Sequence, residues 1–279
     1  MNGLESRRWS TRTIIWVALA IAIVLYAFPF VYMLFTSFKI PIETNAIPPK
    51  ILPSVWTIDN YVKALQTDGV VASFINSIDT AIISTLLSLV LAVPAAYAVT
   101  RYRTRLGRVF ILMALVMRMV PAIVVGTPLI TVFHNLGMSD TSIALAIAQT
   151  TISLPLSIWL MASFFESVPT ELEEAARVDG CSRLGALWRV ILPVTKGGIA
   201  VTAIFAFLAS WNDFIFALLL TSVRAVTTPV MIANFQSQFG LDWGTMTALS
   251  VLYSIPVILL TLALQRHIVA GLTLGSVKG

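Results

Sequence analysis

Residues 169–193 read Pro169-Thr-Glu-Leu-Glu-Glu-Ala-Ala-Arg-Val-Asp-Gly180, then Cys181-Ser-Arg-Leu-Gly-Ala-Leu-Trp-Arg-Val-Ile-Leu-Pro193. This is a polar stretch between two hydrophobic runs, and it carries helix signals at both ends. Thr170 followed by Glu173 has the spacing of a capping box, in which hydroxyl and carboxylate each accept from a backbone amide of the first turn. Glu171, Glu173 and Glu174 lie where the helix dipole favours anions. Gly180 suits the left-handed residue that stops a helix. The spacing predicts a helix over 171–179, too short to stand alone in water, so it must pack on something. Leu172, Ala175 and Ala176 fall on one face, and the alanines let another surface approach the backbone closely. A second helix is predicted from Ser182, with Leu184, Leu187, Trp188 and Ile191 as its apolar stripe and Pro193 as its end. Two readings stay open: an amphipathic connector lying on the membrane, or an element onto which something docks.

The rest of the chain is apolar. Of 279 residues, 58% are hydrophobic and 11% charged, with a mean hydropathy of +0.90. Soluble domains carry about 25% charged residues. A helix needs about 20 apolar residues to cross a bilayer. Six runs qualify, at about 13–36, 77–99, 109–132, 142–164, 198–220 and 245–264. The fold class expected is all-α, a single membrane domain over 1–279 with six transmembrane helices. The first run is longer than the apolar core of a signal peptide and reads as a retained anchor.

Basic residues set the orientation. Arg7, Arg8 and Arg12, then Arg101, Arg103, Arg105 and Arg108, then Arg177, Arg183, Arg189 and Lys196, and finally Arg266 and Lys278 all fall on one side. The other side holds Lys39, Lys50, Lys63 and Arg224. Both termini and the 166–197 loop are therefore expected in the cytoplasm, with the Pro- and aromatic-bearing 37–76 loop outside. This asymmetry accounts for the net charge of +5 without a nucleic-acid partner. The tail from Gln265 to Gly279 is short and Gly-bearing, suited either to disorder or to reaching a partner. The lone Cys181 excludes an intrachain disulfide. His134 and His267 are far apart, and no metal-ligand spacing exists. No G-x-x-x-x-G-K-[ST] phosphate loop, G-x-S-x-G or H-E-x-x-H element occurs.

Glu174-Ala175-Ala176, three residues, Gly180, nine residues, then Val190-Ile191-Leu192-Pro193 resembles the EAA loop of ATP-binding-cassette importer permeases. The family pattern is E-A-A-x3-G-x9-I-x-L-P, and the chain departs from it only at Val190. Trp211-Asn212-Asp213, Leu154-Pro155 with Trp159, and the Gly271…Val277-Lys278-Gly279 tail look like the carbohydrate branch, nearest to the maltose-type second permease. The resemblance implies a type I ABC importer permease fold in a bacterial cytoplasmic (inner) membrane. It implies half of a two-subunit channel, with a homologous second permease, two cytoplasmic ATPase subunits and an extracytoplasmic solute-binding protein as partners. ATP and Mg would be bound by the ATPase chains, so this chain would carry no cofactor and no catalytic residue. Glu174, Ala175, Ala176, Asp179 and Gly180 would be the ATPase-coupling contacts.

Ionisable residues inside a span are costly and are functional candidates. Arg118 falls about nine residues into the third run, roughly 14 Å deep. It reads either as a donor to a solute or as half of an internal ion pair with Asp213 or Asp79. Trp211 offers a ring face for stacking on a sugar, or is ordinary packing. Asn212 offers donors and acceptors, and Asp213 is expected in the outer half of the fifth run. Pro94, Pro121, Pro128, Pro155 and Pro256 are expected to interrupt spans. The alternative to an ATP-driven permease is a secondary transporter driven by an ion gradient through an Arg118–Asp213 pair. The cargo stays open among sugars, polyols, glycerol phosphodiesters and sulfonated sugars.

Overall fold

The computed structural model describes residues 2–102, 105–237 and 240–274. Long apolar helices dominate. They are α1 (Asn2–Ser37), α2 (Pro41–Thr44), α3 (Asp59–Gln66), α4 (Val70–Tyr102), α5 (Arg105–Met117), α6 (Ala122–Asn135) and α7 (Ser142–Glu166). There follow α8 (Thr170–Val178), α9 (Arg183–Ala186), a π-helical turn (Leu187–Ile191), α10 (Leu192–Val194), α11 (Lys196–Trp211), α12 (Ile215–Leu220) and α13 (Thr228–Ala233). A two-residue ladder, β1 (Gln236–Ser237) with β2 (Gly240–Leu241), precedes α14 (Trp243–Leu274). The residues 275–279 of the expected tail, and Arg103 and Thr104 of the expected basic loop, lie outside the described residues.

Four uninterrupted segments are long and apolar enough to cross a membrane: Ile14–Ser37, Val70–Tyr102, Ser142–Glu166 and Trp243–Ala263. The third expected span is broken. Val109–Met117 meets Ala122–Asn135 at 87°. A second bent pair, Arg183–Val194 with Lys196–Trp211, turns through 81°. Four segments become six if each bent pair counts as one crossing. Most of the expected proline interruptions do not occur. Pro94, Pro128, Pro155 and Pro256 sit inside continuous helices, and Pro121 alone of the five stands at a break, as the N-cap of α6. A single lost backbone bond is tolerated where neighbouring turns and helices re-satisfy the freed carbonyl.

The chain gathers into two compact units, 1–68 with 232–254, and 69–231 with 255–279. In the first, residues 37–68 of the expected 37–76 loop gather around Asn60, whose Nδ2 donates to the carbonyls of Ser37 (2.9 Å) and Lys39 (2.8 Å), whereas residues 70–76 are the first turns of α4. A Cβ on Gly244 would collide with that amide, so glycine is required there. Phe38 packs on Trp56 and Tyr61. Glu43 accepts from the Ser54 amide (3.0 Å) and from Lys50 Nζ (3.1 Å). Hydrogen bonds with Ser54 and the Lys50 contact pull its carboxyl down to about 2. Asp242 caps the start of α14, accepting from the Thr245 amide and hydroxyl and pairing with Lys63 at 2.5 Å.

The second unit is built on α4, α7 and α11. α4 presents Ser73, Ser77, Thr80, Ala81, Ser84, Ser88, Ala92 and Ala96, all buried. Small residues at helical spacing let helices approach closely, which drives association where lipid removes the hydrophobic gain. Ser88 and Ser153 share a hydrogen bond of 2.6 Å, and Thr150 donates to Ser84. On α11, Gly198 lies against the Phe164 ring of α7, with no room for a Cβ.

Candidate functional site

The polar stretch at 169–193 folds as two helical pieces separated by a left-handed stop. α8 covers Thr170–Val178, one residue earlier than expected. Gly180 has φ +89°, and the Cys181 amide reaches back to the Ala176 carbonyl at 2.9 Å, closing the helix as its sequence requires. Ser182 caps the next helix by accepting from the Gly185 amide at 3.1 Å. The helix runs through Pro193 to Val194, past the expected stop at Pro193. A proline has no N–H for the usual i−4 carbonyl, and the turn just before it is π-helical.

The expected capping box does not form. The N-cap is Pro169, with no side-chain cap. Glu173 instead turns into the protein, where it is 8% exposed. Arg101 Nε lies 2.9 Å from its Oε2 as an ion pair, and Tyr97 Oη donates to its Oε1 at 2.6 Å. Arg101 also donates to the Val168 carbonyl (3.3 and 3.4 Å), and Tyr97 donates to the Arg183 carbonyl (3.3 Å). Tyr97 packs edge-on against Phe165, and the Arg183 guanidinium lies over the Tyr102 ring. Breaking a buried ion pair by removing one partner costs about 3–5 kcal/mol, because the other charge is stranded.

This inward turn of Glu173 rotates the helix relative to the expected face. Ala176 is buried, whereas Leu172 and Ala175 face out. The outward side of α8 carries Glu171, Glu174, Ala175 and Val178, continuing into exposed Asp179 and Gly180. The following stripe also divides. Leu187 and Ile191 are buried, while Leu184 is 65% and Trp188 67% exposed. Glu174, Ala175, Asp179 and Gly180 are thus accessible, as are Leu184 and Trp188 further on, and Ala176 alone of the five expected coupling residues is used for internal packing. The sequence signal that could have found Glu173's role is the i, i+4 pair Tyr97 and Arg101 at the end of α4, two polar groups on one face of an otherwise apolar helix.

The expected solute-facing residues are not brought together in this way. Arg118 is not at the middle of a helix. It stands in the turn between α5 and α6, exposed. Among the described residues it has no ion-pair partner, so the pair with Asp213 or Asp79 is not formed. Trp211 is 1% exposed and stacks on Phe207 at 5.6 Å, which removes its ring from an open surface. Asp213 is also buried. It accepts from Gln149 Nε2 (3.2 Å) and from the Phe216 and Ala217 amides (3.3 and 3.2 Å), capping α12 where α11 ends. Ser210 donates to Gln149 Oε1, so one buried amide ties α7 to the break between α11 and α12. Asn212 is the exposed member of the three, its Nδ2 donating to the Leu208 carbonyl. The described residues contain no group of three or more His, Cys, Asp or Glu placed to hold a metal ion.

A loop pin lies elsewhere in the same unit. Asp140, with φ +54°, accepts from the backbone amides of Ser222, Val223, Arg224 and Ala225 at 2.8–3.1 Å. Partial burial pushes its carboxyl up, but these amides outweigh it and hold the group well below the usual carboxylate range. Neither the residue nor the contact was singled out by sequence reasoning, because an acid in a loop carries no pattern.

Broken apolar helices around a capped, outward-facing helical loop define a membrane-embedded transport subunit. Residues 84–274 match the family described as the binding-protein-dependent transport system inner membrane component. The chain belongs to that family. It is 35% identical over 277 residues to the probable ABC transporter permease y4oR of Sinorhizobium fredii, covering 99% of this chain and 98% of the relative. It is 38% identical over 271 residues to the trehalose transport system permease SugB of Mycobacterium tuberculosis, covering 96% and 98%. Its fold is similar to a chain of a bacterial ABC transporter involved in import of the acidic polysaccharide alginate. There the TM-score is 0.78 at 22% identity, over 95% of this chain and 98% of that one. The type I ABC importer permease fold is thereby established.

Proposed function

We propose that the chain is one half of the translocation pathway of an ATP-driven importer for a saccharide or saccharide derivative. The observation that carries the reading is the exposed surface at 171–188. Glu174, Ala175, Asp179 and Gly180 are exposed, as are Leu184 and Trp188 after them, at the spacing shared by permeases that hold an ATPase. A helix face carrying exposed Ala175, followed by the exposed large apolar side chains Leu184 and Trp188, needs a covering surface. An ATPase subunit of the cassette type supplies one, with its ATP and Mg. A homologous second permease completes the channel, and an extracytoplasmic binding protein delivers the solute. The termini and 166–197 are cytoplasmic in this reading.

The cargo class follows from relatives whose names specify trehalose and alginate import. Arg118 and Asn212 are the exposed polar groups of the candidate path, and Arg118 suits a hydroxyl-rich or anionic solute. Trp211 and Asp213 shape the α11–α12 break from within.

Reconstitution with the partner subunits tests the reading. Uptake should require ATP and stop with a hydrolysis-dead ATPase partner. Uptake undiminished by that partner overturns it. Gly180→Asp and Glu174→Arg should each release the ATPase or abolish uptake, and normal assembly with normal uptake in both would remove the docking role.

A further inference from the structure

Resting on the docking role just proposed, we infer that Tyr97, Arg101 and Glu173 form a latch that makes the docking helix α8 and the long helix α4 one moving body. Their role is positional, since they act through α8.

The geometry has three points of attachment, all from the last two turns of α4. Arg101 donates to the Val168 carbonyl, just before α8. Its guanidinium pairs with Glu173, inside α8. Tyr97 donates its one hydroxyl proton chiefly to Glu173 at 2.6 Å, with the Arg183 carbonyl of α9 a longer second acceptor at 3.3 Å. The helix is therefore held at its entry and its middle, with a longer contact to α9 beyond its exit. Tyr97 and Arg101 are four residues apart, so they share one face of α4. The Arg101 and Glu173 side chains are only 10% and 11% exposed. A pair exposed to water would reorganise as α8 is pushed, whereas this pair is largely shielded, so few waters can take over its hydrogen bonds. Displacement of α8 must then be passed on to α4. That helix has 33 residues, so it extends about 50 Å, longer than the bilayer core is thick. Its other end carries Ser73 and Ser77, which reach Thr228. A movement imposed at 170–178 is thus delivered to the opposite end of the unit.

Glu173 is on the docking helix but not on its docking face. Substitution there should leave ATPase binding intact and cut the yield of transport per ATP. The test is uptake and ATP hydrolysis measured together in proteoliposomes of the complete complex. Tyr97→Phe keeps the ring that packs on Phe165 and removes only the hydroxyl, so it is the variant expected to fold. Uptake per ATP should fall about tenfold, the worth of a hydrogen bond to a charged group, with hydrolysis retained. Glu173→Gln should fall further, and the exchange Arg101→Glu with Glu173→Arg should recover part of the loss. Unchanged uptake per ATP in assembled Tyr97→Phe and Glu173→Gln overturns the latch. Equal loss of uptake and hydrolysis in both also overturns it, since that marks a residue of the ATPase interface. A wild-type complex with no ATP-dependent uptake would instead refute the importer reading, so the two failures are told apart.

Discussion

Single positions in this chain are fixed by backbone geometry more than by contact. At Gly180 a Cβ would meet nothing within 4 Å, yet φ is +89°. Gly180→Ala is therefore a pure test of left-handed strain and should cost about 1–2 kcal/mol. Gly180→Asn should cost less, because asparagine tolerates this region. Thermal unfolding of the two detergent-purified variants checks the order, and an equal loss in both would point to a contact instead. Asp140 makes the opposite case, a side chain fixed by the four amides it accepts from. Its carboxyl is held below the usual range despite the burial that opposes this. A depressed acid stabilises the fold above its unfolded pKa, about 3.9, and loses that contribution as pH falls through the folded value. Asp140→Asn should cost about 1.5–3 kcal/mol at neutral pH, the worth of a charge-assisted hydrogen bond. The gap to wild type should close as pH drops below about 4. A gap constant from pH 7 to pH 3 would show that the amides do not depend on the charge.

Elements are held by close approach and by buried polar ties. The Phe164 ring occupies the space a Cβ on Gly198 would need. Gly198→Ala should cost about 1–3 kcal/mol through overpacking of α7 on α11, whereas Gly197→Ala, with nothing within 4 Å, should be tolerated. Paired melting curves decide this, and similar losses would mean that α11 is not seated on α7 as described. These elements also mark how far sequence carried the reading. Length and hydropathy reveal α1, α4, α7 and α14, because crossing a bilayer demands a long apolar run whatever packs beside it. They did not reveal the break at Arg118, since α5 and α6 are both apolar and only Pro121 hints at the turn. Capping residues gave both ends of α8 within a residue, but Thr170 and Glu173 at capping-box spacing misled. Local spacing cannot show that a distant Arg101 and Tyr97 offer the carboxylate a better partner than the first-turn amide. Trp211 and Asp213 were legible as unusual, but their inward orientation depends on Gln149 and Phe207, which no local pattern connects to them.

At the scale of the whole molecule the open quantity is how often the chain crosses the bilayer between Cys181 and Val223. α11 has 16 residues and α12 has six. At 1.5 Å per residue α11 reaches about 24 Å, short of a core of about 30 Å, and α12 adds about 9 Å. The two together suffice for one crossing, provided that the break at Asn212 does not turn the chain back. Asp213 favours continuation, since it caps α12 while held by Gln149 of the uninterrupted helix α7. The basic residues agree, with Arg177, Arg183, Arg189 and Lys196 before α11 and Arg224 alone soon after α12. Cys181 and Val223 should therefore face opposite sides. Cys181 is the chain's only cysteine and is partly accessible, while Val223 is 82% exposed. A membrane-impermeant maleimide should label Cys181 in inside-out but not right-side-out vesicles. Val223→Cys, in a Cys181→Ser background, should show the reverse. Labelling of both from one side would mean that α11 and α12 form a re-entrant hairpin. The single-crossing reading would then be lost.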